Sequence, residues 1–280
     1  MLRLATFALL ASIPAAHATI PAESCGPGSH RVLVQLEAPQ ALWEAIGTAG
    51  ARTFGAPLVE QSLRDKTLSA QISLLRRLAP CPARVPEPLW LLGATALTLS
   101  EAERATIAQA PEVRRLFPLG RSAHLLPEGS PLSARAVDEF TPALARIGVP
   151  ELRRQFPQLR GEGVRVGIID TGIEAAHPDL IGRLAAFRNF VSPSNPNPID
   201  DHGHGTHVAG TIAGGNRSGT SIGVAPGASL LVAKAFGRYG GSDDKDLLAA
   251  LQWMADPDGN PATADGAKIV SCSWNVDPVD

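Results

Sequence analysis

Two histidines three positions apart, His204 and His207, stand in the glycine-rich run from Asp201 to Gly214, DHGHGTHVAGTIAG. In a helix that spacing puts both imidazoles on one face, and the surrounding glycines let backbone come close to whatever His204 faces. Such a pair suits a metal site, a general base with a structural neighbour, or two histidines satisfied within a core. A second candidate lies earlier in the chain. Asp170 ends the apolar run Val164-Arg165-Val166-Gly167-Ile168-Ile169 and is followed by Thr171-Gly172, the place where an α/β sheet presents reactive groups. Alone, a strand-terminal aspartate reads equally well as a turn cap. Together, a buried carboxylate and an imidazole make an acid–base unit, in which the carboxylate orients one ring nitrogen and the other is free to take a proton from a nucleophile.

The elements that must hold these residues read as strand and helix in alternation over residues 143–280. Val164 to Ile169 has the nearly continuous apolar character of a strand covered on both faces. Ala186 to Val191, Ser229 to Phe236 and Lys268 to Trp274 are further strands. A helix follows His204, and another is capped near Ser242 with Leu247, Leu248, Leu251 and Met254 on one face. This order predicts an α/β domain with a doubly wound, mostly parallel sheet. Residues 19–119 predict a separate small α+β unit. It has strands at Arg31 to Leu36, Trp90 to Leu99 and Val113 to Phe117. Its first helix carries Leu68, Ile72, Leu75 and Ala79 inward and ends near Pro80, and its second opens with a capping box at Ser100 and Glu103. The expected product is a sheet with two helices on one face. Residues 120–142 lose periodicity and read as an exposed, easily cut linker.

Residues 1–18 read as a secretory signal, with Arg3 ahead of the apolar core Ala5 to Ile13 and a small-x-small site at Ala16-His17-Ala18. No later apolar stretch approaches the roughly 18 residues of a membrane span, so the expectation is a secreted protein without a membrane partner. A net charge of -2 in 280 residues gives no electrostatic basis for binding nucleic acid or an anionic membrane. Three cysteines are an odd count for an oxidising destination. Pairing of Cys25 with Cys81 leaves Cys272, whose strand-like setting predicts a buried, inert thiol.

Four stretches in order, Val164 to Ile173 (VRVGIIDTGI), His177-Pro178-Asp179-Leu180, Gly203 to Gly214 (GHGTHVAGTIAG) and Gly223-Val224-Ala225-Pro226, resemble the subtilisin-like serine proteases. The resemblance implies a secreted endopeptidase that hydrolyses peptide bonds of peptide or protein substrates. It assigns Asp170 as the orienting carboxylate, His204 as the general base and His207 as a structural neighbour. The unit at 19–119 is similar to the family's propeptide, a folding assistant that acts as an intramolecular inhibitor. Two substrate-binding segments are implied, one around Gly240 and Gly241 in Arg238 to Ser242, the other at Ser273-Trp274-Asn275. Asn275 stands where the family has glycine, and Trp274 is also readable as plain core.

The family's nucleophilic serine motif and oxyanion asparagine occur nowhere in these 280 residues. Gly219-Thr220-Ser221 has the motif's first letters, but it runs directly into Ile222-Gly223-Val224-Ala225-Pro226, so Ser221 reads as a decoy. The chain is therefore expected to be the signal, propeptide and incomplete front half of the catalytic domain, inactive alone. The alternative is a non-catalytic secreted binding or protease-inhibitory protein. The family often binds calcium between the residue matching Asp179 and a loop matching Gly215 to Ser221. Arg217 places a cation in that loop, and neither a cofactor nor a metal is expected.

Overall fold

The computed structural model describes residues 22–37, 57–120, 122–125 and 139–276; the signal reading of 1–18 lies outside them. In the N-terminal unit, β1 (His30–Leu36) is followed by α1 (Pro57–Leu75), β2 (Glu87–Leu89), β3 (Ala94–Leu99), α2 (Glu101–Ile107) and β4 (Val113–Pro118). The strands form an antiparallel sheet of order β2-β3-β1-β4. Alternation in β1 sends Val32, Val34 and Leu36 to one face, where they meet Leu97, Leu99, Leu74 of α1 and Ile107 of α2. Both helices thus share one core. The capping box is present, with Glu103 N–H donating to Ser100 Oγ and Ser100 N–H donating to Glu103 Oε2. Cys25 and Cys81 are joined as a disulfide, Cα to Cα 5.2 Å.

α1 is rotated from its expected orientation. Glu60, Thr67, Gln71 and Leu74 are buried, whereas Leu68 and Ile72 are each 44% exposed and Ala79 lies exposed beyond the helix. Polar pairing accounts for the difference. Gln71 Nε2 donates to Thr95 Oγ1 on β3 at 2.8 Å, and Arg64 donates to Glu60, so buried polar groups find partners on the inward side.

The chain continues through β5 (Ser122–Leu125), α3 (Pro142–Arg146), α4 (Val149–Gln155), β6 (Arg165–Asp170), β7 (Leu184–Asn189), α5 (His204–Ala213), β8 (Ser229–Lys234), β9 (Gly241–Asp243), α6 (Asp244–Ala255), β10 (Ile269–Ser271) and β11 (Trp274–Val276). Four of these strands form a parallel sheet of order β10-β6-β8-β7. Successive residues of β6 enter different cores. Ile168 joins Ala209 and Ala213 of α5, while Ile169 joins Leu247, Ala250, Trp253 and Met254 of α6. A strand covered on both faces reads as a continuous apolar run for this reason. The N-terminal sheet turns its second face to α6, where Leu33, Leu89, Ala94 and Ala96 pack with Leu248.

Three expectations need correction. The stretch Lys268 to Trp274 is not one strand; it breaks at Cys272-Ser273 into β10, which pairs with β6, and β11, which joins a different sheet. Cys272 at that break is exposed, not buried. Within the linker reading of 120–142, β5 lies antiparallel between β9 and β11 and its Ala123 is fully buried. Backbone pairing on both sides makes an ordered strand of a sequence without apolar periodicity. No helix among the described residues is long and apolar enough to cross a membrane.

Candidate active site

Asp170 is the last residue of β6 and His204 the first of α5. The strand ends in a buried turn and the helix starts against it, which places Asp170 Oδ1 2.7 Å from His204 Nδ1. Oδ1 also accepts the Thr171 backbone N–H at 2.7 Å. The Asp170 side chain is 0% exposed and His204's is 13% exposed, so the carboxylate is sealed while the ring keeps a route to solvent. Burial pushes the Asp170 carboxyl above its ordinary range, and the bonds from His204 and Thr171 oppose that rise. An ionised carboxylate accepts from Nδ1–H, and the proton-accepting lone pair of the imidazole then resides on Nε2.

Residues beyond this pair hold it in place. Asp200 precedes α5 and satisfies the start of that helix. Its Oδ1 accepts Gly203 N–H at 2.9 Å and Thr171 Oγ1–H at 2.8 Å, and its Oδ2 accepts Thr206 N–H at 2.8 Å. These donors hold the Asp200 carboxyl below its usual range against burial, which acts the other way. Thr171 Oγ1 in turn accepts Gly205 N–H at 2.8 Å. Lys234, at the end of β8 with 4% side-chain exposure, donates to Thr171 O, Phe236 O and Asp201 Oδ1. Sequence reasoning missed Asp200 and Lys234. An acidic residue just before a helix start is a readable signal for the first. A lysine closing an apolar strand is a weaker one for the second.

The two histidines of the opening motif differ in exposure, His204 being half-buried. His207 is exposed, so the packing role expected of it is not seen. His202 instead lies beside His204, ring centroids 6.3 Å apart. Ser221 sits in the loop after α5, its N–H donating to Glu139 O and its carbonyl accepting from Thr141 N–H. That is the far end of a helix whose 10 residues span roughly 15 Å, well away from His204.

The implied substrate segments flank β5. Gly240 O accepts Leu125 N–H at 3.3 Å and Gly241 pairs with His124. Gly240 has φ 75°, a left-handed conformation that favours glycine. On the other side Trp274 pairs with Leu125 and Asn275 with His124. The Trp274 indole N–H donates to Ile169 O at 3.1 Å and its ring lies 5.8 Å from that of Phe236, so this residue pairs with β5 through its backbone and packs against the core through its ring. Ser273 lies just outside the strand pairing, with its hydroxyl 3.3 Å from Ser271 Oγ.

Asp179 closes the loop that follows α5. Its Oδ1 accepts Arg217 N–H at 2.5 Å and its Oδ2 accepts the Ser218 hydroxyl at 2.6 Å. Both oxygens point at donors of this chain, and no chemistry is assigned to a metal at that position.

Residues 161–279 match the subtilase family. An intracellular serine protease of Paenibacillus polymyxa is 38% identical over 139 residues, 49% of this chain and 42% of that protein. Bacillopeptidase F of Bacillus subtilis is 30% identical over 211 residues, 66% of this chain and 14% of that protein. Subtilisin Savinase of Lederbergia lenta is 46% identical over 113 residues, 40% of each chain. This chain thus spans less than half the length of each of these relatives.

Proposed function

We propose, from the premise that residues 161–279 of this chain are a subtilase-family domain, that the chain carries the acid–base half of a secreted serine endopeptidase. The observation that carries this reading is the 2.7 Å contact of His204 Nδ1 with the buried Asp170 carboxylate at the carboxyl end of a parallel strand. His204 Nε2 would take the proton of a serine hydroxyl as its oxygen attacks the peptide carbonyl, then return it to the leaving amine. Asp170 holds the ring in the required tautomer and stabilises the imidazolium. That chemistry also needs a nucleophilic serine and an oxyanion donor, for which no residue of these 280 is assigned. Residues 1–18 direct export, and residues 19–119 act as the propeptide, with β5 held in the groove where a substrate strand would pair.

That occupied groove also favours a second reading, a secreted protein that binds or inhibits a protease without cleaving peptides. One experiment separates them. The 280-residue chain, and the chain extended by its downstream coding sequence, are treated with a fluorophosphonate probe and a peptide substrate. The endopeptidase reading expects labelling and hydrolysis only in the extended form, with His204→Ala removing nearly all hydrolysis and His207→Ala sparing most of it. Labelling of the 280-residue chain that is lost on Ser221→Ala overturns the assignment of the nucleophile, and an extended form that never hydrolyses peptides supports the inhibitory reading.

A further inference from the structure

Three pieces of backbone have to be in register for a peptide to meet His204: the turn after β6 that carries Asp170, the start of α5, and the edge from Gly237 to Gly241 against which β5 lies. Asp200 and Thr171 tie the first two together. The edge is reached from β8, whose next residues, Ala235 and Phe236, donate their N–H groups to Asp170 O at 2.9 and 3.1 Å. The chain then turns through Gly237, whose N–H donates to Gly241 O at 3.0 Å and whose carbonyl accepts Gly240 N–H at 2.9 Å. Gly240 O in turn accepts Leu125 N–H of β5.

Lys234 is the side chain common to all three pieces. An ammonium has three N–H donors, and each finds an oxygen of a different piece: Thr171 O at 2.6 Å in the turn, Asp201 Oδ1 at 2.6 Å ahead of α5, and Phe236 O at 3.0 Å at the root of the edge. The Lys234 side chain is 4% exposed, and its carboxylate partner among the described residues is Asp201, 40% exposed. Burying a charge is costly, and an apolar side chain of similar volume commonly fills such a place without loss of stability. Stability is therefore a poor reason for a lysine at the end of β8. What the ammonium adds is a fixed distance between three oxygens.

We propose that Lys234 is a positioning residue, which sets the peptide-binding edge at Gly240 and Gly241 against the Asp170–His204 pair. Without it, Thr171 O and Phe236 O lose their common donor, and the turn and the edge are free to drift apart. The consequence for catalysis rests on the endopeptidase reading; the consequence for geometry does not.

The test compares Lys234→Met with wild type at a temperature where circular dichroism shows both folded. In the 280-residue chain the low-field Nδ1–H signal of His204 should move upfield. Exchange of the Leu125 amide hydrogen, which reports pairing with Gly240, should quicken about tenfold. In the extended form, kcat on a peptide substrate should fall on the order of 10²-fold, as for a displacement of about 1 Å, with KM changed less than about threefold. An extended wild type that never hydrolyses peptides removes the endopeptidase reading and leaves the first two measurements to decide this one. A variant that lowers only the urea midpoint, with signal and exchange unchanged, overturns the proposal. If Lys234→Met does not fold, Asp201→Ala decides, because it removes an exposed partner and keeps the ammonium: the same upfield movement supports the proposal and an unmoved signal overturns it.

Discussion

Gly205→Ala tests how the Asp170–His204 contact is built. Gly205 follows His204 in α5, and its N–H donates to Thr171 Oγ1. A Cβ at this position would lie 2.3 Å from Gly172 O, 2.9 Å from Gly172 N and 3.1 Å from Thr171 Oγ1. The nearest obstacles are backbone, so they cannot swing aside. Carbon and carbonyl oxygen tolerate about 3.3 Å, so helix and turn must part by roughly 1 Å. The same displacement stretches the 2.7 Å bond between His204 and Asp170 well past the usual limit of about 3.2 Å. Overpacking costs about 1–3 kcal/mol and a lost bond to a charged acceptor about 1.5–3 kcal/mol. The helix gains back about 0.5–1 kcal/mol from replacing glycine, leaving a net loss of about 2–5 kcal/mol. Gly210→Ala in the same helix is the control, since its Cβ would meet only Ile222 Cδ1 at 3.5 Å. It is expected to be neutral or stabilising by up to about 1 kcal/mol. Urea unfolding reports the stabilities, and proton NMR follows the low-field Nδ1–H signal of His204. Equal effects of the two substitutions, or an unshifted signal in Gly205→Ala, would refute the reasoning.

Other perturbations have equally definite outcomes. Replacing Cys25 and Cys81 by alanine opens a loop with a sequence separation of 56, and loop-closure entropy puts the loss at about 4 kcal/mol; a urea midpoint unchanged from the oxidised wild type would contradict this. Ala123→Leu forces extra carbons into the cluster of Phe236, Leu247 and Trp253, so β5 should leave its groove and limited proteolysis should cut near residues 120–126 faster than in wild type. Burial, then the neighbouring Glu60, raise the Asp256 carboxyl to about 6, with Arg64 opposing and Asp258 adding to the rise. A folded-state value above the unfolded one means that Asp256 contributes stability below about pH 4, and that this contribution is lost as pH rises through about 6. Asp256→Asn should therefore show a flatter melting temperature between about pH 4 and 7 than wild type. A parallel pair of profiles would show that Asp256 does not titrate in this window.

Short-range signals were legible in the residues themselves. The capping box at Ser100 and Glu103 closes over three residues, and the apolar run ending at Asp170 identifies a strand covered on both faces, so period and residue type suffice for both. The Asp170 and His204 assignment came from motif resemblance, and the structure brings that pair into contact across 34 positions of chain. The inward face of α1 was misread because apolar spacing favoured Leu68 and Ile72. The actual orientation depends on Thr95, a partner in another element that spacing along the helix cannot reveal. Ser122 to Leu125 carries no strand signal of its own and became β5 only because β9 and β11 offer unpaired backbone on either side. Asp200 joins Thr171, Gly203 and Thr206 only once the strand end and the helix start have met. Residue identity and local period thus determined which groups are present and which segments are strands or helices. Tertiary structure decided which groups meet, because hydrogen bonds and close contacts are made between residues that only the folded topology brings together.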